Sequence, residues 1–382
     1  MTETLFWLSL FLMVYTYFFY PGILYIVSSF RRTAVERAGE RELPLVTVVI
    51  SAYNEEKIIK DKIDNLLRTA YPPEKIEFFI GSDGSSDGTN EILQKISAPA
   101  FRFVLFADRK GKAAVVNELV AKAEGEIVVF SDANTFYEPE TVVRLVERFS
   151  NETVGAVCGE LVLESDMKTG SEKGELSYWK YETFLKSLES RIWTILGATG
   201  GVYAIRKRLF SRLPTHKGVV DDLLIPLNVV RRGARAVYEP SALAFEKTAC
   251  GVSDEFHRKV RIGAQVFNTI SEFSDLLNPR HGFVSFALWS HKIFRWIVPF
   301  LLLLILWTNV FLADQAWFYQ KTLMLQFLFY ILALLGFVSE RVKFSIGSLI
   351  YPYYFISMNA ALLVGFLKSM VGGQASTWDV KR

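Results

Sequence analysis

Two hydrophobic rhythms run along the chain, and each predicts a different kind of element. Leu5 to Phe30 carries no charged residue, a run longer than the ~20 apolar positions a helix needs to cross a bilayer. It predicts a membrane helix over residues 1–32. The run is too long for the apolar core of a cleaved signal peptide, and Glu3 stands where such a peptide carries basic residues. From Leu45 to Lys247 short β-branched apolar runs alternate with amphipathic stretches, the mark of βαβ units and a mainly parallel sheet. The predicted strands are Val46–Ser51, Ile76–Gly81, Phe101–Phe106 and Glu126–Ser131, each followed by polar or Gly-rich residues and then a helix. In open sheets of this kind ligands collect at the carboxyl ends of the strands. The polar clusters of residues 45–250 stand at those ends.

Residues 251–296 predict amphipathic, interfacial helices, with Val266, Ile270, Phe273 and Leu277 at helical spacing before Pro279 ends the pattern. Three further apolar runs, Ile297–Ala313, Thr322–Val338 and Phe344–Leu367, predict membrane segments over 297–370, followed by a tail at 371–382. Arg31, Arg32 and Arg37 directly follow the first run, and the positive-inside rule then puts the central domain on the cytoplasmic face of a cell inner membrane. Three crossings would leave Lys381 and Arg382 outside, against the same bias. The last run is either a crossing, a hairpin or a re-entrant segment.

Composition narrows the function classes. With 382 residues, 51% of them apolar, the chain holds one ordinary domain plus its membrane segments. A net charge of +3, evenly spread, lacks the concentrated basic patch of a nucleic-acid reader, so no nucleic acid is expected as partner. Membrane lipids are. Cys158 and Cys250 lie far apart without a His or Cys neighbour at ligand spacing, which argues for small buried residues rather than a disulfide or a thiolate zinc site.

The candidate chemistry lies in five stretches. The first strand runs into Ser51-Ala52-Tyr53-Asn54-Glu55-Glu56, and the second ends in a polar loop from Gly81 to Thr89 that contains Asp83. Taken alone, that loop is also a helix-capping turn built on Ser86 or Asp87. The fourth strand delivers Ser131-Asp132-Ala133-Asn134, whose carboxylate and amide oxygens suit Mg²⁺ or Mn²⁺. Tyr178, Trp179, Tyr181 and Glu182 precede Gly197-Ala198-Thr199-Gly200-Gly201; aromatic rings stack on sugars, and glycines admit a substrate close to the backbone. Asp221 and Asp222 open a helix that runs to Arg232 and stops at Gly233, a place where the helix dipole by itself favours acidic residues. Arg258-Lys259-Val260-Arg261-Ile262 forms a basic strip.

Together these loops resemble those of family-2 glycosyltransferases, the inverting enzymes that include cellulose, chitin, hyaluronan and poly-N-acetylglucosamine synthases, and the likeness covers almost the whole chain. It implies an α/β, GT-A (Rossmann-like) domain with flanking transmembrane helices. By the same resemblance Tyr53, Asn54 and Glu55 contact the nucleoside, Asp83 the uracil, and Lys112, in a segment with Lys110, Gly111 and Asn117, the donor phosphates. Asp132 and Asn134 take the metal-binding Asp-x-Asp position, with Asn in place of the second Asp. Counting back from Gly233 places the catalytic base on Asp222, with Asp221 as the alternative. Trp179, Gly200, Gly201 and Arg258 fall on the acceptor side, and Arg261 on the donor pyrophosphate. Where the processive synthases carry Gln and Trp, this chain has Arg258 and Ile262. The implied function is transfer of a sugar from a nucleotide-diphosphate donor, UDP-linked, to a growing polysaccharide. Transfer of one sugar to a lipid-linked acceptor and a non-catalytic role in polymer export are the other readings.

Overall fold

The computed structural model describes residues 1–31, 42–164, 170–247, 252–342 and 347–371. Arg32, Arg37, Cys250, Lys381 and Arg382 therefore lie outside the described residues. The chain begins with α1 (Thr2–Val14) and α2 (Tyr20–Ser29), made continuous by a π-helical turn at Tyr15–Phe19.

The domain that follows contains β1 (Val46–Ala52), α3 (Ile59–Leu66), β2 (Ile76–Ser82), α4 (Thr89–Gln94), β3 (Phe101–Leu105), α5 (Lys112–Lys122) and β4 (Ile127–Asp132). Next come β5 (Phe136–Tyr137), α6 (Thr141–Glu147), β6 (Val154–Glu164), α7 (Gly170–Ile192), β7 (Tyr203–Arg206), α8 (Asp221–Arg231) and β8 (Arg235–Lys247). These strands form one sheet in the order β3-β2-β1-β4-β7-β6-β8-β5. The first four are parallel, and their register brings Ser51 level with Asp132 and Ala52 level with Ser82. That alignment sets the loops after β1, β2 and β4 along one edge.

The rest of the sheet is mixed: β7 runs antiparallel to both β4 and β6, and β5 antiparallel to β8, while β6 and β8 pair parallel. The residues leading into β7 return the chain directly beside β4, where the Phe130 and Tyr203 rings stack at 4.6 Å. Both faces are covered. Val48 and Ile50 pack with α3 and α6, while Val49 and Val128 pack with α5, α7 and α8, as the two-residue period of a strand requires.

After α9 (Val252–Ile270), the chain forms α10 (Phe283–Ala287), α11 (Phe294–Leu312), α12 (Trp317–Arg341) and α13 (Ile350–Met370). The single helix expected through Leu277 stops at Ile270. Side chains there compete for the last carbonyls: Thr269 Oγ1 donates to Gln265 O at 2.7 Å, and Lys217 Nζ to Asn268 O at 3.0 Å. Among the described residues, the helices long and apolar enough to cross a membrane are Thr2–Ser29, Phe283–Leu312, Trp317–Arg341 and Gly347–Met370. The second of these starts at Phe283 rather than Ile297, because a π-helical turn at Leu288–Ile293 carries helix from α10 into α11. The two π turns meet: Thr16 Oγ1 donates to the Ser290 carbonyl at 2.7 Å, and the Tyr15 and Ser290 hydroxyls share a 2.8 Å bond.

Helix α7 joins the domain to these apolar helices. Glu189 accepts from Tyr20 at 2.8 Å and pairs with His291 at 2.6 Å, while Glu182 pairs with Arg295, with His291 at 3.3 Å and with Lys292 at 3.4 Å. Burial alone would raise the Glu182 carboxyl, but Arg295, Lys292 and His291 hold it well below its ordinary range. Tyr181 and Glu182, read in the sequence beside Trp179, thus face the apolar helices.

Candidate active site

The site begins with the two loops after β1 and β2, which are bonded to each other. Asn54 adopts a left-handed φ of 53°, and its Oδ1 accepts from Ser86 N at 2.9 Å while its own amide N donates to Ser85 Oγ at 3.1 Å. Glu55 is buried, and its amide donates to Thr89 Oγ1 at 2.8 Å. Both residues build the loop pair. Tyr53 presents its ring to the Arg109 guanidinium, 3.7 Å from the centroid.

Asp83, also buried, accepts from Lys110 N at 2.6 Å and Gly111 N at 2.9 Å. It clamps the turn after β3 against β2, and Gly84 permits the approach with φ 64° and the backbone of Arg109 where a Cβ would sit. The sequence assigned Asp83 to a ligand; in the structure both its oxygens also hold the protein's own amides. Asn117 is likewise a clamp, bonding both N and O of Leu213 at 2.8 and 2.9 Å.

Lys112, the first residue of α5, reaches between the end of β4 and the start of α8. Its Nζ lies 2.9 Å from Asp132 Oδ1 and 3.1 Å from Asp221 Oδ2. Burial opposes its charge, yet the two carboxylates raise its pKa. The contact separates the two candidate bases, since Asp221 is engaged by Lys112 while Asp222 turns toward the glycine loop. A Cβ added to Gly200 would lie 3.2 Å from Asp222 Oδ2 and 3.6 Å from Asp132 Oδ2, so this glycine keeps open the space between the two carboxylates. Ala198 N donates to the Asp222 carbonyl at 2.7 Å and fixes the loop on α8. Gly201 meets Thr135 so closely that a side chain there would collide with it, and its carbonyl accepts from Tyr137 Oη at 3.0 Å.

Burial and the charge on Asp221 push the Asp222 carboxyl up to about 6, with Asp132 adding to the rise and Lys112 and Lys186 opposing it. Arg261 of α9 lies close enough to Asp132 and Asp221 to feel their charge. Burial and Arg258 draw its pKa down to about 10, against the pull of Asp132 and Asp221. Arg258, expected beside the acceptor, is bonded to Glu255 at 2.7 Å and to Glu175, tying α9 to α7. Trp179 is half-buried against the core under β6 and lies 5.7 Å from Lys186 Nζ.

Asn134 Nδ2 donates to Glu246 at 2.8 Å, which leaves the amide oxygen as its candidate ligand atom. No cluster of three or more His, Cys, Asp and Glu side chains is arranged for a metal among the described residues. One carboxylate and one amide oxygen are still a fitting all-oxygen set for a hard divalent cation that completes its shell with phosphate and water.

Two lysines were missed in the sequence. Lys186 of α7 is buried and donates to Thr199 Oγ1 at 2.6 Å, behind the glycine loop. Lys62 is fully buried under β4, and burial draws its pKa down to about 7 against the pull of Asp132. Its one signal in the sequence is a Lys inside the apolar stripe of Ile59, Ile63 and Leu66.

Residues 47–213 match the model "Glycosyl transferase family 2". The chain carries a family-2 glycosyltransferase domain. It is 27% identical over 212 residues to "Poly-beta-1,6-N-acetyl-D-glucosamine synthase" of Staphylococcus aureus (strain COL), covering 53% of this chain and 50% of that protein. To "Probable glycosyltransferase YdaM" of Bacillus subtilis (strain 168) it is 26% identical over 262 residues, 65% of this chain and 62% of the other. The chain spans about half the length of the first of these relatives. A solved mannosyltransferase, PcManGT from Pyrobaculum calidifontis in complex with GDP-Man and Mn2+, superposes with a TM-score of 0.74 over 98% of this chain and 100% of that one, at 19% identity. The fold is thus GT-A. Within the glycosyltransferase domain, Tyr53 to Gly201 fall inside the matched span, whereas Asp221, Asp222, Arg258 and Arg261 lie beyond it and rest on the geometry above.

Proposed function

We propose that this chain is an inverting glycosyltransferase that moves a sugar from a UDP-sugar to a growing polysaccharide at the inner face of the cell inner membrane. The observation that carries this reading is the division of labour between adjacent carboxylates. Asp221 is tied to Lys112, while Asp222, its proton affinity raised, faces the space kept open by Gly200. A base poised near neutrality opposite a phosphate-ready cation fits glycosyl transfer by single displacement.

In that mechanism the acceptor hydroxyl attacks the anomeric carbon as the bond to the diphosphate oxygen breaks, through an oxocarbenium-like transition state. Asp222 takes the hydroxyl proton. Lys112 and Arg261 meet the charge on the departing diphosphate. Mg²⁺ or Mn²⁺, when bound at Asp132 and Asn134, supplies Lewis-acid charge to the same leaving group. Tyr53 and Asp83 orient the nucleoside, and Gly200 and Gly201 let donor sugar and acceptor approach the backbone.

A base raised to about 6 must be deprotonated to act, so turnover at saturating donor should rise through about pH 6 and level off above it. A pH profile of kcat, flat from 5 to 8, would contradict the assignment. Asp83→Asn should act differently. One of the two amide contacts is lost, the turn after β3 loosens, and affinity for UDP falls several-fold with kcat at saturating donor little changed.

Ile262, in place of the processive synthases' Trp, favours a second reading in which a single sugar is added to a lipid-linked acceptor. Product size separates the two: membranes given radiolabelled UDP-sugar should yield long labelled polymer on the first reading and a single addition on the second, whereas no transfer would leave the non-catalytic role. Orientation is tested by a cysteine placed near Arg37. An impermeant reagent added to intact cells should leave it unlabelled, and labelling would put the domain on the wrong face.

A further inference from the structure

Lys62 occupies a position where an apolar side chain would be less costly. It lies on α3 in the buried stripe of Ile59, Ile63 and Leu66, and removing an ammonium from water is expensive unless the protein replaces its hydrogen bonds. Both replacements come from one turn. Lys62 Nζ donates to Ser131 Oγ at 2.8 Å and to the Thr135 carbonyl, and these two residues bracket Asp132-Ala133-Asn134. The Tyr137 ring lies 4.4 Å away and offers its face. No carboxylate forms an ion pair with Lys62 among the described residues: its hydrogen bonds go to the two flanks of the turn, and Asp132 attracts it from beyond ion-pair distance. Thr135 in turn packs on Gly201 of the glycine loop.

We infer that Lys62 is a positioning residue whose ammonium, bonded to both flanks of the Asp132–Asn134 turn, sets that turn in the shape that receives the donor diphosphate and its cation. The inference rests on the reading that Asp132 and Asn134 face those groups. It assigns Lys62 no contact with substrate. Outer partners that orient a ligating turn change metal affinity by about 10–100-fold when removed.

The test uses full-length protein in detergent and titrates Mn²⁺ in the presence of UDP, then UDP alone with chelator. Lys62→Met fills the same apolar stripe, so its melting temperature should match or exceed the wild type, because replacing a buried charge by a well-packed apolar group is often neutral or stabilising. Mn²⁺ affinity with UDP should weaken about 10–100-fold, with UDP binding in chelator unchanged. Ser131→Ala removes one anchor only and should weaken Mn²⁺ binding less; this variant carries the test if Lys62→Met does not fold. Wild-type Mn²⁺ affinity in both variants, or an equal loss of UDP affinity with and without Mn²⁺, would overturn the inference. Asp132→Asn distinguishes the two levels of the argument. If it weakens Mn²⁺ binding while Lys62→Met does not, Lys62 loses its role and the turn keeps its own; if neither does, the reading of Asp132 fails.

Discussion

Asp222→Asn is expected to lower transfer about 10²–10⁴-fold at saturating donor while leaving UDP affinity near the wild-type value. The substitution keeps the side-chain shape and leaves in place the backbone bond from Ala198 to the Asp222 carbonyl, so the glycine loop should hold its position. Only the proton acceptor is lost. Asp221→Asn should have a smaller effect and of another kind, because Asp221 is the partner of Lys112. Weakening that pair frees Lys112 toward Asp132 and the donor phosphates, so the change should appear in the donor KM. If Asp221→Asn abolishes transfer and Asp222→Asn does not, the base moves by one residue; if both variants transfer normally, neither carboxylate is the base.

Chelation is expected to have the second large effect, a fall in turnover of at least about 10²-fold, restored by Mn²⁺ or Mg²⁺. A cation at the leaving group contributes several kcal/mol of charge stabilisation, and each 1.36 kcal/mol is about a factor of ten. The protein's own cations do not replace it in full. Lys112 is already shared between Asp132 and Asp221, and the Arg261 charge is held against burial and the neighbouring Arg258. Full turnover in excess chelator by demonstrably metal-free protein would refute this.

Local signals carried much of the fold. The four parallel strands fall within a residue of the runs read from hydrophobic periodicity, because buried parallel strands are written as continuous β-branched stretches. The antiparallel return of β7 was not legible, since pairing between Tyr203 and Phe130 depends on where a long intervening segment brings the chain back. Helix ends were read less well where side chains compete with the backbone, as at Thr269, or where a π turn lets a short helix run on into a long one, as at Leu288–Ile293.

For the site, the sequence named residue types that carry their chemistry with them: Asp132, Asp221, Asp222 and Lys112 converge in the structure. Partners distant in sequence had no such signature. That Arg258 would be bonded to Glu175, that Asp83 would hold the amides of Lys110 and Gly111, and that Lys62 would sit beneath the Asp132 turn follow from the packing of α9 on α7, of β3 on β2 and of α3 under β4. The ionic seam of Glu182, Glu189, His291 and Arg295 was hidden for the same reason, because its acids lie in the domain and its bases in an apolar helix.

The most direct test of the account is a nucleotide-sugar panel run on purified full-length protein in lipid with Mn²⁺, wild type beside Asp222→Asn, using radiolabelled UDP-sugars and GDP-mannose one at a time. Labelled glycan or lipid-linked product is expected from at least one UDP-sugar with the wild type, none from GDP-mannose, and at least about a hundredfold less with Asp222→Asn. Equal product from the two proteins, or wild-type transfer from GDP-mannose and from no UDP-sugar, would contradict it.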